Sequence, residues 1–145
     1  MNRIEELVFN QCQQTPDRLA LSDSVNKLSY GQMWDRVCKA EKRLKEKGME
    51  KGELVALSMA NNAEAVVSFL AILKAGGIVM LLHNELTEAE VDTYFSIQSP
   101  NWLWKTSSLT KIREEKTMLP LRQVNELSDL FLFGFTSGST GRPKG

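Results

Sequence analysis

The chain has 145 residues, of which 42% are hydrophobic and 25% charged, a composition that suits one globular domain with a real core. Lysine plus arginine and aspartate plus glutamate number 18 each, so the net charge is near zero. This balance gives no electrostatic argument for binding nucleic acid or an anionic membrane.

Targeting signals are absent from the sequence pattern. The first six residues are polar and charged, which is not typical of a signal peptide. No apolar run approaches the ~20 residues needed to span a bilayer. The two cysteines, Cys12 and Cys38, fall in predicted helices and are interpreted as buried, reduced thiols. Together these features predict a cytoplasmic protein without a membrane span.

Residues 2–14 are predicted to form an amphipathic helix. Asn2 can cap its amino end, with Glu5 as the reciprocal partner three residues later. The predicted apolar face holds Ile4, Leu7, Val8 and Cys12. A short strand is predicted at 19–21, followed by a turn at Asn26 and Lys27.

A second helix is predicted from about residue 30 to 47. Ser29 and Gln32 form a capping box at its start, and Gly48 stands where a left-handed residue ends many helices. The charged run at 39–47 is interpreted as the solvated face of this helix.

The middle of the chain predicts a βαβ unit. Residues 54–59 and 78–82 are apolar runs typical of buried strands. Residues 62–75 between them are apolar on nearly every side, which predicts a buried helix. Gly76 and Gly77 end that helix. A strand, a helix and a strand at this spacing predict two parallel neighbouring strands.

Further elements follow in the second half. Thr87 and Glu90 form a capping box for a helix over 87–98. Residues 102–104 are predicted as a strand whose two tryptophans pack in the core, with a ligand platform as the alternative. Residues 107–116 are predicted to be a surface helix or loop, and 119–124 a weak edge strand.

The predicted fold class is α/β, with a mainly parallel sheet flanked by helices. A last apolar run at 130–135 supplies the fourth strand beside those at 54–59, 78–82 and 102–104. His83, in the loop after the strand predicted at 78–82, is interpreted as a surface histidine. A role in proton transfer is the alternative, for which the sequence positions no partner acid.

The final eleven residues, 135–145, combine three glycines, four hydroxyl side chains and a lysine. Glycines let the backbone bend tightly and let a ligand approach the main chain. Successive N–H groups in such a turn can bind an anion. Lys144 adds a full positive charge, and Pro143 fixes the φ angle next to it. This composition after a predicted strand indicates a site for a polyphosphate.

Other interpretations of this run fit less well. A P-loop needs Ser or Thr after its lysine, and Lys144 is followed by Gly145. The dinucleotide fingerprint is absent. Residues 134–138 approach a nucleophile elbow but carry Thr136 in the nucleophile position, and His83 precedes it in the chain. A flexible Ser/Gly tail remains the alternative without function.

The order Phe-Thr-Ser-Gly-Ser-Thr-Gly-x-Pro-Lys-Gly resembles the phosphate-binding loop of the adenylate-forming, or AMP-binding, superfamily at all eleven positions. Leu28-Ser29-Tyr30-Gly31-Gln32-Met33 resembles the first short motif of that family, and Leu73-Lys74-Ala75-Gly76-Gly77 the second. The family usually continues with an Asn- or Asp-Pro pair, whereas this chain has His83 and Asn84.

The resemblance implies ATP-dependent activation of a carboxylic acid to an acyl-adenylate, with Mg²⁺, followed by transfer to the thiol of coenzyme A or of a phosphopantetheine arm. The alternatives within the family are acyl-CoA ligase and amino-acid or aryl-acid adenylation domain. The implied catalytic residue is Lys144. The implied phosphate-binding residues are Thr136, Ser137, Gly138, Ser139, Thr140, Gly141 and Lys144.

The resemblance also implies that residues 1–145 are the N-terminal fragment of an AMP-binding domain, without its C-terminal domain. In the family, the groups that bind adenine, ribose and metal follow the phosphate loop, so no metal ligand is assigned here. The fragment alone is expected to be inactive. Residues 130–135 are expected to expose an apolar edge, which would bind the missing part or a second copy. The alternative from a different functional class is that the chain is not an enzyme but a non-catalytic remnant or an interaction module.

Overall fold

The computed structural model describes residues 3–114, 132–137 and 143–144. They divide into two compact units, the first built from residues up to Lys51 together with Asn61–Gly77, and the second from the remainder. The first unit contains α1 (Arg3–Gln14), β1 (Leu19–Ser22), β2 (Lys27–Ser29), α2 (Tyr30–Glu46) and α3 (Ala63–Lys74). The second contains β3 (Leu54–Ser58), β4 (Ile78–Leu82), α4 (Glu88–Ile97), β5 (Trp102–Lys105), β6 (Ser108–Lys111), β7 (Leu132–Phe133), β8 (Thr136–Ser137) and β9 (Pro143–Lys144).

Helix α2 begins and ends at the residues that the sequence predicts. The Ser29 hydroxyl accepts a hydrogen bond from the backbone N–H of Gln32 at 3.2 Å. In return, the Gln32 side chain accepts from the backbone N–H of Ser29 at 2.9 Å. Gly48 has a φ of 98°, which is the left-handed conformation expected beyond the helix end. The capping box and the glycine stop are both confirmed.

Helix α3 is capped by two side chains, one local and one distant. The Asn62 side chain accepts from the backbone N–H of Ala65 at 3.0 Å. Asp23, in the turn between β1 and β2, accepts from the backbone N–H of Ala63 at 2.9 Å. The same carboxylate accepts from the N–H groups of Val25 and Asn26. The backbone donors of Ala63, Asn26 and Val25 lower the pKa of Asp23 to about 2.

The double glycine after α3 is required by close packing in the first unit. Gly76 has a φ of 83°, and a Cβ atom there would approach Lys51 Cγ to 2.9 Å. A Cβ atom at Gly77 would overlap Met49 Cε and lie 2.9 Å from Ile72 Cγ2. The first glycine supplies a left-handed turn and the second lets the chain pass directly against its neighbours.

Helices α2 and α3 are linked by a largely buried carboxylate, Glu41, which lies inside the charged run that the sequence predicts to be solvated. Lys74 of α3 donates to one of its oxygens, and Lys45 donates to the other at 2.6 Å. Burial alone would raise the pKa of Glu41, but the hydrogen bonds and charges of Lys45 and Lys74 outweigh it and the pKa is lowered. The Lys74 ammonium also lies 6.0 Å from the ring centroid of Trp34.

The five-stranded sheet of the second unit has the order β6-β5-β3-β4-β7. The pairs β5 with β3, β3 with β4, and β4 with β7 are parallel, whereas β6 pairs antiparallel with β5. All four predicted strands therefore lie in one mainly parallel sheet, and α4 covers part of one face through Tyr94 and Phe95. The predicted α/β fold class is confirmed.

Two buried polar side chains hold the amino ends of the parallel strands in register. Asn101 accepts from the backbone N–H of Leu54 at 2.9 Å through its side chain, and its own N–H donates to the carbonyl of Leu54 at 2.8 Å. The Glu53 carboxylate accepts from the indole N–H of Trp102 at 2.7 Å. The backbone carbonyl of Glu53 accepts from the backbone N–H of Ile78 at 2.9 Å. Trp102 and Trp104 are buried, as core packing predicts.

Several sequence predictions are wrong. Cys38 is half-buried, whereas Cys12 is buried as expected. Glu41, within the charged run interpreted as solvated, is buried. Residues 108–111 form strand β6 instead of a surface helix or loop, because a turn with a positive φ at Thr106 brings Leu109 opposite Trp104. On α1, Leu7 is exposed and Glu5 is buried. The buried stripe of this helix therefore runs through Glu5 and Cys12, and residue type alone could not place the stripe. Asn2 and the predicted edge strand at 119–124 lie outside the described residues.

Within the described ranges, none of the helices combines the length and the apolar character that crossing a bilayer requires.

The Glu41 cluster predicts a stability effect. Glu41→Gln removes the charge that holds Lys74, whose side chain is only 22% exposed, and should lower the free energy of unfolding by about 1.5–3 kcal/mol. Glu46→Gln on the same helix is the matched control, because its pair with Lys42 spans 3.8 Å between exposed side chains. That control should cost less than about 0.5 kcal/mol in urea unfolding. Equal losses in the two variants would show that Glu41 contributes no more than a surface ion pair.

The Asp23 turn predicts a pH effect on stability. Folding lowers the pKa of Asp23 to about 2, so its ionised form stabilises the protein above the ordinary aspartate pKa of ~3.9. That contribution should fade as pH falls from about 4 to about 2. Asp23→Asn should lower the melting temperature at pH 7, and the difference from the unsubstituted protein should shrink over this window. Asp35→Asn, at an exposed position of α2, is the matched control for the loss of one carboxylate.

Candidate phosphate-binding site

The glycine-rich motif begins at the carboxyl edge of the parallel sheet. Strand β7 pairs with β4 in parallel, with Val79 opposite Leu132 and Met80 opposite Phe133. The chain leaves β7 at Gly134 and enters the motif one residue later. In open α/β sheets, ligands bind outside the carboxyl ends of the strands. The sheet therefore places the motif at the edge where a ligand site is expected.

An aromatic cluster holds the entrance of the motif. The ring of Phe135 meets the ring of Tyr94 edge to face, with centroids 4.4 Å apart and an interplanar angle of 68°. Phe135 also contacts Phe133 at 5.2 Å and 82°. All three rings are partly buried against the core cluster that Leu54, Ala56, Ile78, Met80 and Leu82 form. Such edge-to-face pairs add stabilisation beyond the area that they bury.

Tyr94 is contributed by α4, whose start is defined by a second capping box. The Thr87 hydroxyl accepts from the backbone N–H of Glu90 at 3.2 Å, and the Glu90 carboxylate accepts from the N–H of Thr87 at 2.7 Å. The hydrogen bonds from Thr87 lower the pKa of Glu90. The sequence predicts this helix and its cap but not that Tyr94 supports the motif, because the contact joins residues distant in the chain.

The two ends of the motif pair with each other. Strands β8 and β9 are antiparallel, with Thr136 opposite Lys144 and Ser137 opposite Pro143. Directly opposite residues in such a pair have Cα atoms about 4.5–5.5 Å apart. The structure thus brings together three of the predicted site residues, Thr136, Ser137 and Lys144. The other four, Gly138, Ser139, Thr140 and Gly141, lie outside the described residues.

Gly134 does not need to be glycine for reasons of space or conformation. Its φ lies outside the left-handed range, and a Cβ atom there would have no heavy atom within 4 Å. Local geometry therefore gives no reason for a glycine at this position.

His83 lies directly beyond the carboxyl end of β4, next to the strand that leads into the motif. Its side chain is exposed, as predicted for a surface loop. Its Nδ1 atom accepts a hydrogen bond from the backbone N–H of Glu85 at 3.3 Å. In the part of the chain that the structure describes, no group of three or more histidine, cysteine, aspartate or glutamate residues could hold a metal ion.

The predicted apolar edge is visible in part. Strand β7 lies at one end of the described sheet order. Leu132 is 38% exposed, and Leu81 on the neighbouring strand is 47% exposed. Phe133 and Phe135, by contrast, are partly buried against the core cluster. Residues 130 and 131 of the predicted edge are not among those described.

Comparison with known proteins gives consistent results. The chain is 29% identical to bacitracin synthase 1 of Bacillus licheniformis over 154 aligned residues, covering 98% of this chain and 3% of that protein. It is 29% identical to the 2-succinylbenzoate–CoA ligase of the same organism, covering 90% of this chain and 31% of the ligase. The chain thus spans less than a third of either relative's length.

A solved structure shows the same fold. The N-terminal subdomain of Klebsiella oxytoca NpsA, in complex with 3-hydroxybenzoyl-AMSN, superposes with a TM-score of 0.79 at 21% identity. The match covers 99% of this chain and 40% of the NpsA chain. In addition, the family model described as AMP-binding enzyme matches residues 8–96, which is more than half of the chain. The chain therefore belongs to the AMP-binding, adenylate-forming enzyme family.

Proposed function

We propose that residues 136–144 form the triphosphate-binding part of an enzyme that activates a carboxylic acid with ATP. The observation that carries this proposal is the pairing of Thr136 with Lys144, next to the carboxyl edge of the sheet. This pairing sets the hydroxyl-bearing start of the motif beside its lysine. A short antiparallel pair at that edge suits a motif that must wrap an anion.

The proposed reaction is in-line displacement at the α-phosphorus of ATP. A carboxylate oxygen of the acid forms a bond to that phosphorus, and the bond to the bridging oxygen of the β-phosphate breaks. The products are an acyl-adenylate and pyrophosphate. Backbone N–H groups and hydroxyls of the motif would hold the β- and γ-phosphates in line, and Lys144 would stabilise the charge on the departing pyrophosphate.

Mg²⁺ is the proposed metal partner of the nucleotide phosphates. Mg²⁺ at nucleotide phosphates is commonly held by one or two carboxylates together with phosphate oxygens. No cluster of suitable side chains is found in the described ranges. Its protein ligand is proposed to lie in polypeptide that follows the motif, and no step here depends on it.

The remaining groups of the active site are proposed to come from polypeptide outside residues 1–145. The chain covers 40% of the NpsA chain that shares its fold. The exposed Leu81 and Leu132 beside the end strand β7 suit continued packing by such polypeptide. A second copy of the chain is the alternative occupant of this edge.

The proposed cellular location of the protein is the cytoplasm.

The acceptor of the acyl group is proposed to be a thiol, either of coenzyme A or of a phosphopantetheine arm on a carrier protein. The relatives include both a peptide-antibiotic synthase and a coenzyme A ligase at equal identity. Residues 1–145 therefore favour neither an acyl-CoA ligase nor an amino-acid or aryl-acid adenylation domain.

Lys144 should be essential for rate. In a polypeptide that includes residues 1–145 and the rest of the domain, Lys144→Ala should slow carboxylate-dependent ATP–pyrophosphate exchange by roughly 10²–10³, the scale of losing one preorganised donor. Lys39→Ala is the matched control, because it removes an exposed cation of α2 outside the motif and should change the rate by less than about threefold. Exchange at the original rate in Lys144→Ala would exclude the lysine from the mechanism.

Residues 1–145 alone should not catalyse exchange, although they should bind inorganic pyrophosphate. The proposed reason is that the groups that contact adenine and the acid lie elsewhere. Both measurements use the 145-residue chain. ATP–pyrophosphate exchange assays with a panel of carboxylic acids check the expected lack of catalysis, and calorimetry with pyrophosphate checks the expected binding. Acid-dependent exchange by this chain would contradict the proposed division. Absence of pyrophosphate binding would favour the non-catalytic alternative.

A further inference from the structure

We propose that Tyr94 is a positioning residue for the β8–β9 pair: its ring, acting through Phe135, sets the direction of this pair and thereby its affinity for a polyphosphate. The proposal rests on the proposed function, because it takes residues 136–144 to be the segment that binds the triphosphate. It gives a role to a residue of α4, which lies well before the motif in the chain.

The β8–β9 pair is separate from the main sheet. Strands β8 and β9 form a two-stranded sheet of their own, whereas the five-stranded sheet ends at β7. In the part of the chain that the structure describes, no backbone ladder therefore joins the pair to β7 or β4. The direction of the pair must come from the short connection that leads into it.

This connection consists of Gly134 and Phe135, which lie between β7 and β8. A Cβ atom at Gly134 would have no heavy atom within 4 Å, so packing does not hold the chain at that position. Phe135, by contrast, is half-buried and packs against the core cluster. Phe135 is thus the side chain that holds the connection against the body of the second unit.

Tyr94 gives the Phe135 ring a defined orientation. The two rings meet edge to face, with centroids 4.4 Å apart and an interplanar angle of 68°. Contact with the aliphatic core cluster is non-directional, whereas aromatic rings favour an edge-to-face or offset arrangement. The other ring on Phe135 is that of Phe133, which belongs to β7 in the same segment. Tyr94 is therefore the ring that ties the connection to a different element.

Helix α4 is anchored well enough to serve as this support. Its start is fixed by the capping box of Thr87 and Glu90. Near its end, the carbonyl of Tyr94 accepts from the backbone N–H of Gln98 at 3.0 Å, and Gln98 is buried. The Tyr94 ring itself packs against the core cluster. An anchored ring can therefore orient a segment whose own backbone pairing is short.

Orientation matters for a polyphosphate because several donors must converge on one anion. Without the Tyr94 ring, the β8–β9 pair should occupy several directions relative to the sheet. Only a fraction of the molecules would then be competent to bind, and the apparent affinity falls by that fraction.

The test measures binding of inorganic pyrophosphate to the 145-residue chain by calorimetry. Tyr94→Leu should weaken binding by about threefold to tenfold, the scale of one edge-to-face aromatic contact. Tyr94→Phe keeps the ring and should restore binding to within about twofold of the original chain. Phe95→Leu is the matched control, because Phe95 packs against the same core cluster but forms no aromatic pair among the described residues. It should also stay within about twofold.

Further measurements separate positioning from stability. Tyr94→Leu and Phe95→Leu should lower the free energy of urea unfolding by similar amounts, because each truncates a half-buried ring of α4. Of these two variants, only Tyr94→Leu should move the backbone amide NMR signals of Thr136, Ser137 and Lys144 in the absence of ligand. In a Phe135→Leu background, Tyr94→Leu should weaken binding no further, because the contact through which it acts is already gone.

The outcomes separate this proposal from the proposed function. If the original chain binds pyrophosphate and Tyr94→Leu binds it equally well, the positioning proposal is wrong and the triphosphate site stands. The proposal is also overturned if Phe95→Leu weakens binding as much as Tyr94→Leu, or if Tyr94→Leu has its full effect in the Phe135→Leu background. If the original chain does not bind pyrophosphate, the proposed function fails for this chain and the positioning proposal fails with it.

Discussion

The parallel pairing of β3 with β4 is the interaction on which the other elements depend. Five consecutive residues of each strand are in register, from Leu54 opposite Ile78 to Ser58 opposite Leu82. All five residues of β3 are buried, as expected of an inner strand with neighbours on both edges. Parallel neighbours cannot be joined by a tight hairpin, so the chain must leave the sheet, form α3 in the first unit and return. The glycine pair at 76–77 makes that return possible.

The site depends on a much shorter pairing. Strand β7 has only two residues in register with β4, which is a short ladder to position the proposed phosphate-binding segment. The edge-to-face contacts of Phe135 with Tyr94 and Phe133 supplement it. The position of Thr136 is therefore set by side-chain packing on α4 as much as by backbone hydrogen bonds. Tyr94 therefore supports the candidate site through Phe135.

Two carboxylates of the first unit join elements that are distant in sequence. Asp23 joins the β1–β2 turn to the start of α3, and Glu41 joins α2 to α3. Each carboxylate accepts a hydrogen bond from a group distant in sequence. For the buried Glu41, such bonds offset the cost of removing the charge from water. Although the net charge of the chain is near zero, individual ion pairs and caps determine how the helices of the first unit pack together.

Much of this protein was determined by the sequence alone, wherever the physical cause is local. The caps at Ser29 and Thr87, the left-handed Gly48 and the βαβ unit follow from neighbouring residues and periodicity, and each is confirmed. The motif at 135–145 also identifies its family without coordinates, because the order of its residues is distinctive.

Tertiary structure alone decided the features that join distant residues. It buried Glu5 and exposed Leu7, formed β6 opposite β5, and brought Asp23 to Ala63. It also set Thr136 opposite Lys144 and placed Tyr94 against Phe135. Each of these depends on which surfaces meet once the chain is folded. Hydrophobic pattern and propensity do not specify which distant residue a given residue will contact.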